Sequence, residues 1–253
     1  MGRIAFLFLV PVLLAVFGSA LGAEEKALSP ETMKRLGSSD PAQRDQAVQA
    51  FVAAGKVAVP SLTAILRRGD ETVQTSAVLC LERIGSPSAL GAVVEFLKGA
   101  QSLLARLYAV KALGKLGNAS TRAVLRPYLE YEGPKRLDPS VGWIADKARE
   151  TETGLIRNQA AESLARLGEF KGVPLLIDNL ASNGWVRRDA LIRLRRMTGC
   201  KVDFGYNLGS ARSDRDKVIE AWKTWWSANA RGFKPDWTTS HNVFDVNKRG
   251  GGK

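Results

Sequence analysis

Side chains able to do chemistry are few in this 253-residue chain. His241 is the one histidine, in a polar stretch, with no second imidazole for a zinc pair and no triad context. Asp138, Asp146 and Glu150 lie close together and could in principle form an acid/base pair, but their charged surroundings read as a solvated loop. No Gly-Lys-Ser/Thr phosphate loop and no Gly-x-Gly-x-x-Gly occurs. No metal or cofactor is therefore expected. The densest charge cluster is Arg187, Arg188, Arg193, Arg195 and Arg196. At 100° per helical residue, Arg188 and Arg195 share one flank and Arg193 and Arg196 the other, with Arg187 near the apolar edge. That spacing predicts a solvated basic face, and Arg188, Arg195 and Arg196 become candidate anion contacts.

The elements that must position these residues are legible from composition and repetition. With 45% hydrophobic and 25% charged residues the chain has ordinary globular composition. Its N-terminus is different. A basic start at Arg3, an apolar run from Ile4 to Phe17 and small residues up to Ala23 have the order of a secretory signal peptide. The expectation is cleavage after Gly22 or Ala23, no integral membrane span afterwards, and a periplasmic or extracellular location. Removing residues 1–23 lowers the formal charge from +12 to +11. The remainder is uneven: residues 24–184 hold 21 Lys/Arg against 18 Asp/Glu, whereas residues 185–253 hold 15 against 7. A basic C-terminal third suits an anionic polymer, and export argues against intracellular nucleic acid.

Self-similarity is the strongest signal. Five segments share an Ala-led apolar stripe that ends in Gly, and the glycines are Gly55, Gly85, Gly117, Gly168 and Gly199. The stripe Ala, +1, +4, +7 predicts the buried face of an amphipathic helix, and the Gly a left-handed C-terminal cap. After each of the first four glycines comes a shorter amphipathic segment, carried by Leu62 and Leu66, Val93 and Leu97, Leu125 and Leu129, and Leu176 and Leu180. No helix pair of this kind can bury its apolar face alone, so the units must stack.

A period of 30, 32 and 31 residues, broken once by a 51-residue gap, and openings such as Asp40-Pro41-Ala42-Gln43-Arg44 and Trp185-Val186-Arg187 resemble short HEAT-like repeats. The Met-Thr-Gly turn, Phe-Gly-Tyr and Trp-rich helix at the end are similar to some secreted bacterial HEAT-repeat proteins. The resemblance implies an all-α, right-handed α-solenoid of stacked helix pairs, with first helices convex and second helices concave. It is nearly silent on activity, because the family spans scaffolds and a few enzymes, bilin lyases among them.

The expected organisation is a signal peptide (1–23), a helical lead-in (24–39), a solenoid (40–210), a capping helix (211–230) and a tail (231–253). The 51-residue gap places an insertion at about 133–153, read as a packed turn with a short helix from Ser140 to Arg149, or as a binding loop around Trp143. Ser213 reads as the N-cap of the last helix, and Trp222, Trp225 and Trp226 on one face read as a cap rather than a ligand platform. Phe233, Trp237 and Phe244 are expected to staple the tail. Three repeat steps of roughly 10 Å would hold Cys80 and Cys200 too far apart for a disulfide. The functional expectation is an exported, non-enzymatic protein-protein scaffold, with Trp143, Arg67, Arg68 and Arg126 as candidate partner contacts. The alternatives are a binder of an anionic glycan or envelope polymer and, behind it, a HEAT-fold enzyme such as a lyase.

Overall fold

The computed structural model describes residues 29–133, 142–199, 201, 202, 204, 205 and 211–237; for residues 142–145 it describes the backbone alone. The apolar run before Ala23, Cys200, His241 and Phe244 lie outside the described residues. Among those described, all regular structure is helical. The helices are α1 (Pro30–Arg35), α2 (Pro41–Ala54), α3 (Val59–Arg68), α4 (Glu71–Ile84), α5 (Leu90–Gly99) and α6 (Leu103–Leu116), followed by α7 (Arg122–Leu125), α8 (Gly142–Arg166), α9 (Val173–Asp178), α10 (Gly184–Met197) and α11 (Arg212–Asn229). Short 3-10 turns join several of them. Two compact units result, divided between Leu116 and Gly117, inside the span expected to be one solenoid.

In the first unit α4 packs on α2, α3 and α6, and α5 packs on α3 and α6. Its interior holds Val48, Phe51, Leu62, Ala77, Val78, Leu81, Val93, Ala109, Val110 and Leu113, all but solvent-free. Asp70 caps α4 by accepting from the backbone N–H groups of Thr72 and Val73. Gly85 ends it at φ 73°, ψ 24°, and its N–H donates to the Leu81 carbonyl, a left-handed turn that a side chain would strain. The stretch Pro41–Arg68 is long and apolar enough, by length and composition, to cross a membrane. Here it is two helices, α2 and α3, separated at Gly55 with φ 65° and ψ −138°, and each packs on α4.

Gly85, Gly168 and Gly199 also take the positive φ expected at repeat ends, but Gly117 does not. After α6 the chain goes directly into an extended Asn118 at φ −137°, whose side chain caps the next 3-10 turn while Thr121 accepts from the Asn118 N–H. Pro127, lacking an N–H, then leaves α7 a single turn that continues as the 3-10 stretch Arg126–Glu130.

In the second unit α8 packs on α9 and α10, and α11 packs on α9. The segment expected as a short helix from Ser140 to Arg149 within the insertion is helical from Gly142 but does not stop at Arg149. The insertion's described part, from Gly142 onward, is the first half of α8, a 25-residue helix that runs on into the fourth stripe. No proline interrupts it, and the helix crosses the assumed boundary at Thr153 in spite of Thr151, Thr153 and Gly154, all weak helix formers. The last helix also starts before its expected cap: Ala211 is the N-cap, without a side-chain bond, and Ser213 lies within the first turn. Trp222 is fully buried among Leu176, Ile177, Leu180, Leu191 and Leu194, whereas Trp225 and Trp226 are partly buried at the edge. Phe233 meets Phe170, Trp225 and Trp226 edge-on at 5.2, 5.9 and 5.3 Å, and Trp237 packs beside them, as a staple would.

Candidate functional site

The seven residues singled out from sequence meet different fates. Arg67 and Arg68 end α3 and are exposed. Arg67 borders an open groove of about 380 Å³ between α3 and α5, floored by Leu66 and Phe96 and edged by Gly91 and Glu95. Arg126 is not available in the same way. Its guanidinium grips the Glu169 carboxylate in a forked ion pair at 2.9–3.1 Å. The hydrogen bond from Arg126, more than the opposing burial, holds Glu169 below the ordinary carboxylate range, and the same bond raises Arg126. Trp143 falls in the first turn of α8, and its side chain lies outside the described set.

The basic cluster on α10 is not a solvated face. Arg188 is exposed, but Arg193 and Arg195 keep only 7% and 9% of their surface, and Arg196 reaches Glu162 at 3.4 Å. Arg193 and Arg196, expected on one flank, both face Glu162 of α8, whereas Arg188 and Arg195, expected together on the other, differ in burial. Five arginines on one helix therefore do not make one patch.

Arg193 and Arg196 belong to a buried ionic network. Glu162 on α8, 2% exposed, accepts from Arg193 Nη1, from Arg166 at 2.8 and 3.2 Å, and faces Arg196. Burial alone would raise its pKa; Arg193, Arg166 and Arg196 outweigh that and bring it down to about 2. Arg193 also forks onto Asp189 at 2.8 and 2.9 Å and donates to Gln159 at 3.1 Å. Burial works against its charge, but Asp189 and Glu162 hold its pKa above the usual arginine value. Asn158, fully buried, extends the network by donating to Asp189 and to the Val186 carbonyl at 3.0 Å each, and accepts from Asn179 at 2.7 Å.

At the solvent end of this chain of bonds lies a second groove, of about 340 Å³, between the first half of α8 and the start of α10. The helices meet closely there because position 154 is glycine: a Cβ would stand 2.5 Å from a Val186 methyl. Arg149 donates Nε to the Glu132 carbonyl at 3.0 Å, and Arg157 to the Tyr131 carbonyl at 2.8 Å. Asn183 caps α10 through the Val186 N–H and ties back to Thr151 at 3.2 Å. Asp146 and Glu150 stand at the outer rim, the latter 3.4 Å from Lys147. Beside the groove, on the same first turn of α10, Trp185 is 70% exposed.

The described groove residues present hydrogen-bond donors and carboxylates to solvent. The Cys80 thiol is buried and pushed up to about 12 by that burial, so it stays protonated. No cluster of three metal-binding side chains occurs among the described residues. The groove and the network both escaped the sequence reading. Two signals pointed to them: the i,i+4 pairs Glu162/Arg166 and Asp189/Arg193 on consecutive stripes, and a lone Gly154 inside a helical pattern. Comparison with family models, curated proteins and solved structures finds no match to this chain.

Proposed function

We propose that the chain is a non-enzymatic interaction scaffold for a protein partner. In this reading the helix pairs continue as a right-handed α-solenoid of short HEAT-like repeats, and the helix of Trp222 closes its end. The observation that carries it is the division of surfaces. The apolar faces of paired helices are consumed in the interiors, while open, polar-edged grooves of 340–380 Å³ remain between helices. Stacked helices that bury one side and present the other form extended binding surfaces without any reacting group. The apolar run Ile4–Phe17 supports export, and with it a periplasmic or extracellular partner.

A photo-crosslinking residue at Gly91 tests this, because that position edges the α3/α5 groove and a Cβ there meets nothing within 4 Å. Expected is one discrete adduct whose purified partner binds the full chain, and binds it less tightly after Arg67→Glu. A partner indifferent to Arg67→Glu but lost on Arg188→Glu would move the function to the anion-binding alternative. Turnover of a small molecule by the purified chain would overturn both.

A further inference from the structure

In the second unit Arg149 and Arg157 differ from Arg166 on α8 and from Arg193 and Arg196 on α10 in what holds them. Arg166, Arg193 and Arg196 each face a carboxylate. Arg149 and Arg157 bind backbone carbonyls through Nε, and no ion pair joins either to a described acid. A guanidinium tethered at Nε keeps its terminal N–H groups as donors in a fixed plane, the geometry that pairs with a carboxylate. Both arginines line the α8/α10 groove, with Thr153 midway between them on the same face of α8 and the Asn179 and Asn183 amides opposite. Eight helical residues separate them, roughly 12 Å along the axis. An extended peptide covers that distance in about four residues, and residues four apart in a strand point the same way.

The rim argues for the kind of anion. Asp146 lies one turn before Arg149, and Glu150 beside it, so a uniformly charged polyanion would meet repulsion at one end of the groove. A polypeptide places a single carboxylate on Arg149 and can follow it with a neutral or cationic residue, so it meets less repulsion there than a continuous polyanion.

We propose that the α8/α10 groove binds an extended polypeptide segment of the partner through two carboxylates about four residues apart, one on Arg149 and one on Arg157. This rests on the scaffold reading and adds to it the chemistry of the bound segment.

The test uses the full chain, ¹⁵N-labelled, and the acetylated, amidated peptide Glu-Gly-Ser-Gly-Glu as probe. The expected result is saturable shifts of the Asn179 and Asn183 side-chain amides. Affinity should fall by about tenfold when glutamine replaces the glutamates, and again in Arg149→Gln or Arg157→Gln. Arg149 is exposed, so Arg149→Gln carries the test if Arg157→Gln fails to fold. Asp146→Asn should leave the diacid peptide bound and strengthen binding of inorganic polyphosphate. No shift at millimolar peptide, or shifts unaffected by both arginine variants, would overturn the proposal. So would wild-type binding of polyphosphate as tight as that of the peptide. Crosslinking from Gly91 is independent of this groove, so its persistence alongside such a failure would leave the scaffold reading standing.

Discussion

The α4/α6 contact of the first unit and the α8/α10 contact of the second join equivalent helices of successive stripes by opposite means. The α4/α6 pair is walled by buried Ala77, Leu81, Ala109, Ala112 and Leu113, and its ionic contact joins one buried acid, Glu82, to two lysines that stay partly exposed, Lys111 and Lys115, at 3.4 and 3.6 Å. Between α8 and α10 the charges go inside. An apolar contact tolerates small shifts in register; a forked arginine with two carboxylates and a glutamine does not. The lesson is that one repeat pattern can specify packing by shape in one place and by charge in another. The charged contact is the one that borders the α8/α10 groove, through Asn158 and Asn179.

The contrast can be broken most severely by removing one side of the buried network. Glu162→Ala leaves Arg193 buried with a surplus of charge and should cost about 3–5 kcal/mol, lowering the denaturant midpoint. Replacing Glu162 and Arg193 together by Met should recover much of that loss, whereas an additive double mutant would show that the pair does not act as a unit. Trp222→Ala should cost a similar 3–5 kcal/mol through its cavity in the same unit. Trp225→Ala and Trp226→Ala, partly exposed, should cost less, and equal losses in all three would refute the burial order.

Acid sharpens the comparison. The folded pKa of Glu162, about 2, lies below its ordinary 4.5. Its stabilisation is therefore complete above pH 4.5 and lost as the pH falls toward 2, about 3 kcal/mol in all. Glu169 adds a loss of the same sign. Hydrogen-exchange protection factors, taken against the intrinsic rate at each pH between 4.5 and 2, should fall in α8 and α10 well before α4 and α6, and simultaneous loss of protection would contradict the assignment.

Smaller effects come from glycine. Gly154→Ala must push α8 from Val186, an overpacking cost of about 1–3 kcal/mol, and should widen the groove. Gly91→Ala in α5 meets open space and should stabilise by about 0.5–1 kcal/mol. Thermal melts of the two variants should shift in opposite directions.

Much of the first unit was legible because its helices obey local rules: stripe, Gly cap and Pro at the first turn each act within a few residues. The same rules located Trp222 as a core residue. They misplaced the start of α11, where Ser213 satisfied the pattern of a cap while the chain was already helical. They also cut α8 at a boundary defined by period rather than by any helix-stopping residue.

The sequence by itself determined helix content, the positions of the paired apolar faces and the scarcity of reactive groups, since all three follow from residue type and short-range spacing. Only the tertiary structure decided which arginines are usable. Arg193 and Arg195 look as solvated as Arg188 on a single helix, and Arg126 as available as Arg67. Their fates depend on a carboxylate or a helix face brought up from another part of the chain, such as Glu162 from 31 residues away and Glu169 from 43. Desolvation and pairing are properties of that encounter, and no spacing within one helix encodes them.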